Sequence, residues 1–297
     1  MRYTTPHALE NAVKEAAKNS QIETSRAISL FWWDRFLTRV FYDSKTDFVL
    51  KGGMSMLARM GTRYTKDIDL SAEEVDIESA QTRLINLVSR DLGDFFLFPL
   101  VSSRPIVEEA EYRSGRNLSF KVFVGGVERG TIKVDLVIGC TPIGSPEIVT
   151  PRQRLNIKGL KYSDYPLYPI VDTISDKVSA TLSRYPDGRY SSRVRDLVDL
   201  TLIALTTHVE GSLLHSALES EVQRRSSVKH SEFVIPDTWR TSPLSQTYLK
   251  LAKQAGLPSR FEDVEIASKL VSSMLNPILA DERKSGVWSP ELLEWTD

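Results

Sequence analysis

The chain has 297 residues, 41% of them hydrophobic and 26% charged, and its formal net charge at pH 7 is −1. This length can bury a sizeable core, whereas the near-neutral charge leaves any contact with a nucleic acid to local basic patches. The single cysteine, Cys140, excludes an internal disulfide, and the lack of an apolar run of roughly 20 residues predicts a protein with no role in a membrane.

The pattern of apolar residues changes along the chain. Residues 7–41 read as amphipathic helices, and the aromatic segment 28–33 is predicted to be core rather than a platform for stacked bases. Strands dominate from residue 46 to 144, with a helix predicted over 77–92, and the chain is mainly helical beyond Pro151. We therefore expect two parts, residues 1–150 with the N-terminal helices and a strand-rich core, and residues 151–297 with a helical lobe.

A glycine pair, Gly52-Gly53, is the first candidate binding element. It follows a short apolar strand over 48–50 and Lys51, and it precedes an apolar helix over 54–60. Free N–H groups at a helix start bind phosphate, and glycine allows the phosphate to approach closely. No P-loop or Rossmann glycine pattern occurs in the sequence. The alternative interpretation is a purely structural turn.

Two acids one residue apart, Asp67 and Asp69, are the strongest sequence signal for a metal. Residues i and i+2 of a strand point to one face, so both carboxylates would project together while Ile68 and Leu70 face the core. At about 5 Å and a dielectric near 20 their repulsion is about 3 kcal/mol, and a bound divalent cation such as Mg²⁺ relieves it. The alternative is a solvated acidic pair.

Asp135 is the third candidate acid. A β-hairpin is predicted over 118–138 around the turn 125–130, and Asp135 lies within the otherwise apolar end of its second strand. A buried acid needs a partner or a metal, and three strand-borne carboxylates would suit the oxygen preference of Mg²⁺. The alternative is an acid on an edge strand, paired with a lysine or an arginine.

The helical part carries a polar stripe and a cluster of arginines. Lys177, Thr181 and Arg184 recur at helical spacing, which puts them on one face of a helix. The arginines that fall within 12 residues are Arg184, Arg189, Arg193 and Arg195. Guanidinium groups and lysine suit a triphosphate or an RNA backbone. The alternative is a solvated helix face with i, i+4 ion pairs such as Arg195 with Asp199.

Four segments together resemble the motifs of the AbiEii/AbiGii toxin-type nucleotidyltransferases, a family that includes the MenT toxins. The segments are Leu50-Lys51-Gly52-Gly53, Arg63-Tyr64-Thr65-Lys66-Asp67-Ile68-Asp69-Leu70, Lys177 in a helix, and Arg195-Asp196-Leu197-Val198-Asp199-Leu200. The resemblance implies an α/β fold with a polymerase-β-like nucleotidyltransferase core, a mixed sheet and a helical C-terminal lobe. It also implies that Asp67 and Asp69 bind metal, that Lys177 contacts the triphosphate, and that Asp196 or Asp199 adds an acid to the site.

These observations predict a nucleotidyltransferase that uses Mg²⁺ or Mn²⁺ and a nucleoside triphosphate (NTP) and releases pyrophosphate. Asp67, Asp69 and Asp135 are the predicted metal ligands, and Asp135 is also expected to help activate the acceptor hydroxyl. The predicted nucleotide-binding residues are Lys51, Gly52, Gly53, Thr65, Lys66, Lys177, Arg184, Arg193 and Arg195. The resemblance implies a cytoplasmic bacterial toxin that modifies the tRNA 3′ end, blocks translation and growth, and is countered by an antitoxin protein.

Two other functions stay open at this stage. The chain could transfer a nucleotide or a phosphate to a protein hydroxyl, its own or a target's, such as that of Thr65. It could also be a non-catalytic module that binds a partner. In two places the chain departs from the family pattern: Thr65 stands where serine is more frequent, and the connection over Tyr185 to Ser192 is longer than in many members.

Overall fold

A computed structural model describes residues 3–43, 46–61, 65–73, 76–106, 114–185, 187–225 and 229–297. Arg63 and Tyr64 of the motif around Asp67 lie outside the described residues. The chain divides into two compact units. The first comprises the chain up to Gly61 together with Thr65–Thr141 and Pro146–Leu167, and the second contains Pro142–Ser145 and Tyr168–Asp297.

The first unit combines helices with one large sheet. Its helices are α1 (Pro6–Lys18), α2 (Thr24–Val40), α3 (Gly52–Met60) and α4 (Ile77–Val88). Its strands are β1 (Phe48–Lys51), β2 (Ile68–Ala72), β3 (Phe96–Leu97), β4 (Leu100–Pro105), β5 (Ser114–Val124), β6 (Val127–Ile138), β7 (Glu147–Val149) and β8 (Tyr165–Leu167). The predicted hairpin is confirmed, because β5 and β6 pair on either side of Gly125-Gly126.

The sheet is mixed, as predicted. Its strand order is β3–β5–β6–β2–β1–β8–β7, and β4 pairs with β5 alongside β3. The pairs β2–β6 and β1–β8 are parallel, whereas the remaining pairs are antiparallel. The predicted division at residue 150 stays a prediction. β8 lies beyond that residue in sequence, and it pairs with β1 and β7 in this sheet.

Apolar side chains cover one face of the central strands. Ile68 and Leu70 on β2 are fully buried, as the alternation of the sequence predicts. The aromatic segment of α2 also belongs to this core, since Phe31 and Trp33 are buried and Phe36 makes edge contacts with Phe98 and Phe120. The opposite face of the same strands is therefore free to carry polar residues.

The second unit is mainly helical, as expected. Its helices are α5 (Ile170–Leu182), α6 (Val194–Thr206), α7 (Gly211–Arg225), α8 (Leu244–Gln254) and α9 (Val264–Leu279), with short 3-10 turns at Asp237–Arg240 and Ser259–Glu262. A small sheet has the order β11 (Glu294–Thr296), β10 (Val287–Ser289) and β9 (Val209–Glu210). Over the described ranges, every helix is too short or too polar to cross a bilayer.

Candidate active site

A strand-to-helix turn places a glycine directly against a carboxylate. β1 ends at Lys51 and α3 begins at Gly52, which has a φ of +58°. A Cβ atom built on Gly52 would lie only 2.0 Å from Oδ2 of Asp69. Glycine is therefore required at position 52 for two reasons. The backbone is left-handed there, and the Asp69 carboxylate occupies the space beside the start of α3 that a side chain would fill.

Polar residues form a row across four neighbouring strands of the sheet. Asp69 on β2 is paired in register with Lys51 on β1 and with Asp135 on β6, and Asp135 is paired with Asn117 on β5. Paired residues of adjacent strands point to the same face, with Cβ atoms about 5 Å apart. The sheet thus brings together Asp69 and Asp135, which are 66 positions apart in the sequence.

Asp135 has an unfavourable environment for its negative charge. Burial raises its pKa above the ordinary value, and the nearby charge of Asp67 raises it further. A hydrogen bond of 2.6 Å from Nδ2 of Asn117 to Oδ1 and the charge of Lys133 act in the opposite direction. The alternative of an acid on an edge strand is wrong, because β6 lies between β5 and β2.

Asp67 lies one residue before β2, at the same end of the strand as Asp69. The hydroxyl of Thr65 donates a 3.0 Å hydrogen bond to Oδ1 of Asp67, and the Thr65 side chain is buried. Lys66, by contrast, is exposed. Thr65 therefore orients the Asp67 carboxylate, and its hydroxyl is engaged within the site.

The residues at this end of the sheet fit a divalent cation by their chemistry. Three carboxylates supply the oxygen ligands that Mg²⁺ and Mn²⁺ prefer. Burial raises the pKa of Asp135, the charge of Asp67 adds to that effect, and a cation would relieve this repulsion. The ligand atoms of the three acids do not all lie within 4.8 Å of one another. Another group of three side chains among the described residues does have its ligand atoms within that distance. Rotamer changes of Asp67, Asp69 or Asp135 would be required to bring all three onto one ion.

That group consists of His215 and Glu219 on α7 and Asp281 after α9. Asp281 accepts a 2.7 Å contact from Nε2 of His215, and Nζ of Lys229 approaches its other oxygen at 2.8 Å. Lys284 adds a second lysine at 3.6 Å. Because nearby lysines already compensate the carboxylate, we interpret the group as an ion-pair network. The i, i+4 spacing of His215 and Glu219 is visible in the sequence, whereas the approach of Asp281 is not.

Lys177 on α5 forms a buried ion cluster with two acids of α6. Its Nζ lies 3.0 Å from Oδ1 of Asp196 and 2.6 Å from Oδ2 of Asp199. Arg193, just before α6, contacts the other oxygen of Asp196 at 2.7 Å. The alternative of a solvated helix face is wrong for these residues, since the Asp199 side chain is 0% exposed and its partner is Lys177 rather than Arg195.

The other predicted nucleotide-binding residues divide between the two units. Lys51, Gly52, Gly53, Thr65 and Lys66 belong to the first unit, with the three acids of the sheet. Lys177, Arg184, Arg193 and Arg195 belong to the second. Sequence reasoning missed Asn117, the hydrogen-bond partner of Asp135. It also did not foresee that Asp196 and Asp199 both contact Lys177.

Comparison with known families matches residues 35–285 to a family described as nucleotidyl transferase AbiEii toxin, type IV TA (toxin–antitoxin) system. The chain belongs to this family. This AbiEii chain is accordingly a nucleotidyltransferase of toxin–antitoxin type, as predicted. Family membership implies an NTP as substrate, suggests a divalent metal, and implies an antitoxin protein as partner.

One solved structure supports the fold of this AbiEii chain, and a second is a weaker match. MenT4, a nucleotidyltransferase toxin from Mycobacterium tuberculosis H37Rv, is 15% identical with a TM-score of 0.52, and the match covers 95% of this chain and 98% of that one. JHP933 from Helicobacter pylori is 16% identical with a TM-score of 0.42, and 86% of this chain and 92% of that one are covered. Comparison with curated proteins gives no match.

Proposed function

We propose that this AbiEii chain transfers a nucleotide from an NTP to an RNA acceptor in a reaction that depends on Mg²⁺ or Mn²⁺. The observation that carries the proposal is the in-register pairing of Asp69 with Asp135, beside Asp67 and with the Asp69 carboxylate against Gly52. Such a concentration of negative charge at a strand end is costly without a cation. It therefore supports a metal-binding role for the three acids.

Each residue of the site has a role in this proposal. Asp67, Asp69 and Asp135 would hold the ion, which would supply positive charge to the phosphates of the NTP and to the leaving pyrophosphate. Asp135 would also accept the proton of the acceptor hydroxyl. Thr65 orients Asp67 through its 3.0 Å hydrogen bond. The start of α3, with Lys51 before it, offers N–H groups and positive charge to the phosphates.

The second unit would bind the triphosphate through Lys177, with Asp196 and Asp199 as positioning residues that fix the ammonium group. Arg184, Arg193 and Arg195 are proposed as further phosphate ligands because their side chains are exposed or reach the surface.

The acceptor and the biological role rest on the family. We propose the tRNA 3′ end as acceptor, a block of translation and growth as the consequence, and the bacterial cytoplasm as the location. The family description as a toxin of type IV systems supports the growth effect.

The test combines purified protein, Mg²⁺, total bacterial tRNA and each α-labelled NTP in separate reactions, with RNA and protein resolved on one gel. Label on tRNA from one or two nucleotides is the expected result. Asp67→Ala should abolish it at an unchanged melting temperature, whereas Glu73→Ala, which removes an exposed acid just after β2, should retain it.

Other outcomes identify the alternatives. Label on protein in the absence of RNA would replace the RNA acceptor with a protein hydroxyl. No label with any NTP, together with no binding of Mg²⁺ and NTP, would leave a non-catalytic partner-binding module. Transfer that persists in Asp67→Ala would remove the metal-site assignment.

A further inference from the structure

A short hairpin between α5 and α6 displays tyrosines and arginines to solvent. We call it the Arg–Tyr hairpin and define it as residues 183–185 and 187–192. Arg184 and Tyr190 pair as an antiparallel bridge, and the N–H of Tyr185 donates to the carbonyl of Arg189 at 2.8 Å. The turn closes with a 2.8 Å bond from the N–H of Gly188 to the carbonyl of Tyr185. The backbone of the hairpin is thus held by its own hydrogen bonds.

The base of the Arg–Tyr hairpin is anchored within the second unit. The indole N–H of the fully buried Trp239 donates a 2.6 Å hydrogen bond to the carbonyl of Ser191. Two residues further on, Arg193 contacts Asp196, which is bonded to Lys177. The hairpin is therefore attached to the same buried ion cluster that the proposed function uses for the triphosphate.

The aromatic rings of the hairpin are exposed. Tyr185 is 40% and Tyr190 49% accessible to solvent, so both count among the exposed large side chains of the protein. The guanidinium of Arg184 lies 4.2 Å from the ring centre of Tyr190, and that of Arg189 lies 5.9 Å from the ring centre of Tyr185. Each ring is thus paired with a cation, and much of its surface stays accessible.

The charge of this segment differs from that of the whole chain. Between residues 183 and 195 there are four arginines and one acid, Asp187, and Asp196 follows directly. Asp187 is exposed, and Nε of Arg189 contacts its carboxylate at 2.6 Å. The chain as a whole carries a net charge of −1. The Arg–Tyr hairpin, together with Arg193 and Arg195 directly after it, is therefore a local basic surface with aromatic rings.

Exposed aromatic rings interleaved with arginines suit unpaired nucleotides. Bases that are free of a duplex stack on tyrosine rings and guanidinium planes, while arginine also binds the phosphates between them. A protein partner is favoured less. Apart from Pro186, which lies in the sequence between the two described parts, the other residues of the hairpin are serine, glycine and aspartate, which supply no aliphatic surface for the core of an interface.

We propose that the Arg–Tyr hairpin docks the unpaired 3′ end of the RNA acceptor. Bases stack on Tyr185 and Tyr190, and Arg189 binds a backbone phosphate. This inference rests on the proposed function for the identity of the RNA as acceptor, and it adds the surface that holds it.

The test measures binding by fluorescence anisotropy with the full chain and no NTP. The probe is a labelled single-stranded RNA of about 12 nucleotides with a tRNA 3′ sequence. This length lies within the range of lengths that one single-strand binding site covers. A blunt RNA duplex of equal length is the comparison. Replacing both tyrosines, Tyr185→Leu with Tyr190→Leu, should weaken single-strand binding roughly tenfold or more, whereas replacing both by phenylalanine should keep it.

A charge variant separates phosphate contact from stacking. Arg189→Gln should lower the dependence of log affinity on log salt by about 0.7, the value for one phosphate contact to a single strand. Arg260→Gln is the matched control, since Arg260 is also an exposed arginine of the second unit over an aromatic ring, 4.4 Å from the centre of Phe261. It should leave RNA binding unchanged.

The transfer assay distinguishes this inference from the proposed function. Tyr185→Leu alone, which keeps the Arg184–Tyr190 pair, should raise the KM for tRNA and leave the KM for NTP unchanged. If the wild type binds the single strand through the tyrosines but labels no tRNA, the proposed function fails and the docking surface stands. The docking proposal is overturned if the wild type does not bind the single strand, or if the leucine variants bind it as tightly as the wild type. It is also overturned if the leucine variants lose binding of the antitoxin protein and of nothing else.

Discussion

Asp135→Asn is expected to stabilise the protein at neutral pH and to abolish nucleotide transfer. The carboxylate is partly buried, and the charge of Asp67 adds to the penalty of burial, so that its pKa is raised. Asparagine has nearly the same shape, and its carbonyl can still accept the hydrogen bond from Asn117. The substitution therefore removes the charge and keeps the packing.

The gain in stability can be bounded by the repulsion between the carboxylates of Asp67 and Asp135. Two like charges about 6 Å apart repel by about 3 kcal/mol at a dielectric of 20 and by about half of that at 40. Because Asp67 and Asp135 are both partly exposed to water, we expect solvent to reduce the effect to about 1 kcal/mol. For a chain of this size such a change corresponds to a rise in Tm of about 2 °C.

The stabilisation of the protein by Asp135→Asn should increase with pH. The pKa of Asp135 is raised in the folded state, so between the unfolded and the folded pKa the folded protein binds more protons. Wild-type stability is therefore lost, relative to Asp135→Asn, as the pH rises through the folded pKa. The difference in Tm should be largest at neutral pH and should vanish below about pH 4, where the carboxyl is protonated in both states.

Thermal unfolding of both proteins, measured from acid to neutral pH without divalent cations, tests this reasoning. A parallel series with Mg²⁺ should stabilise the wild type more than Asp135→Asn, because the variant has lost a ligand. An Asp135→Asn protein that is less stable than the wild type at pH 7 would refute the electrostatic argument. So would a difference in Tm that does not change with pH.

Three further substitutions test other parts of the site. Gly52→Ala should abolish nucleotide transfer, because its Cβ would lie 2.0 Å from a carboxylate oxygen of Asp69. Gly126→Ala is the control, since it has similar left-handed strain and nothing within 4 Å, and it should cost only about 1–2 kcal/mol of stability. Assays of nucleotide transfer and of unfolding separate the two variants. Lys177→Met should destabilise the second unit by about 3–5 kcal/mol in denaturant unfolding, because it leaves two buried carboxylates without their lysine. Asn117→Ala should move the acid limb of the pH profile of kcat/KM to higher pH, since it removes a bond that lowers the pKa of its partner.

The local features of the first unit could be predicted from the sequence because they depend on short-range patterns. The alternation of Ile68 and Leu70 indicated the buried face of β2, and the glycine pair between Lys51 and the apolar helix indicated the turn. The contact of Asp135 with Asn117 could not be found in this way. Counting back from the turn of the hairpin pairs Arg116 with Asp135, and only the bulge near the turn moves Asn117 into that position.

Long-range pairing limited the prediction of the metal site. The parallel register of β2 and β6, which places Asp69 beside Asp135, joins strands separated by α4 and three other strands in the sequence. No local pattern specifies such a register. The sequence could therefore indicate which acids were unusual, whereas the row that they form with Lys51 follows only from the order of the strands.

The cluster around Lys177 shows how burial changes the meaning of a motif. The spacing i, i+3 puts Asp196 and Asp199 on one face of α6, and the sequence alone leaves open whether that face meets water or another helix. In the fold it meets Lys177, and with Arg193 the cluster balances two positive against two negative charges. A triphosphate that binds Lys177 must therefore compete with carboxylates already in place. It follows that the two acids primarily position and stabilise the lysine. A loss of activity in their variants must therefore be compared with the change in the free energy of unfolding before it is assigned to catalysis.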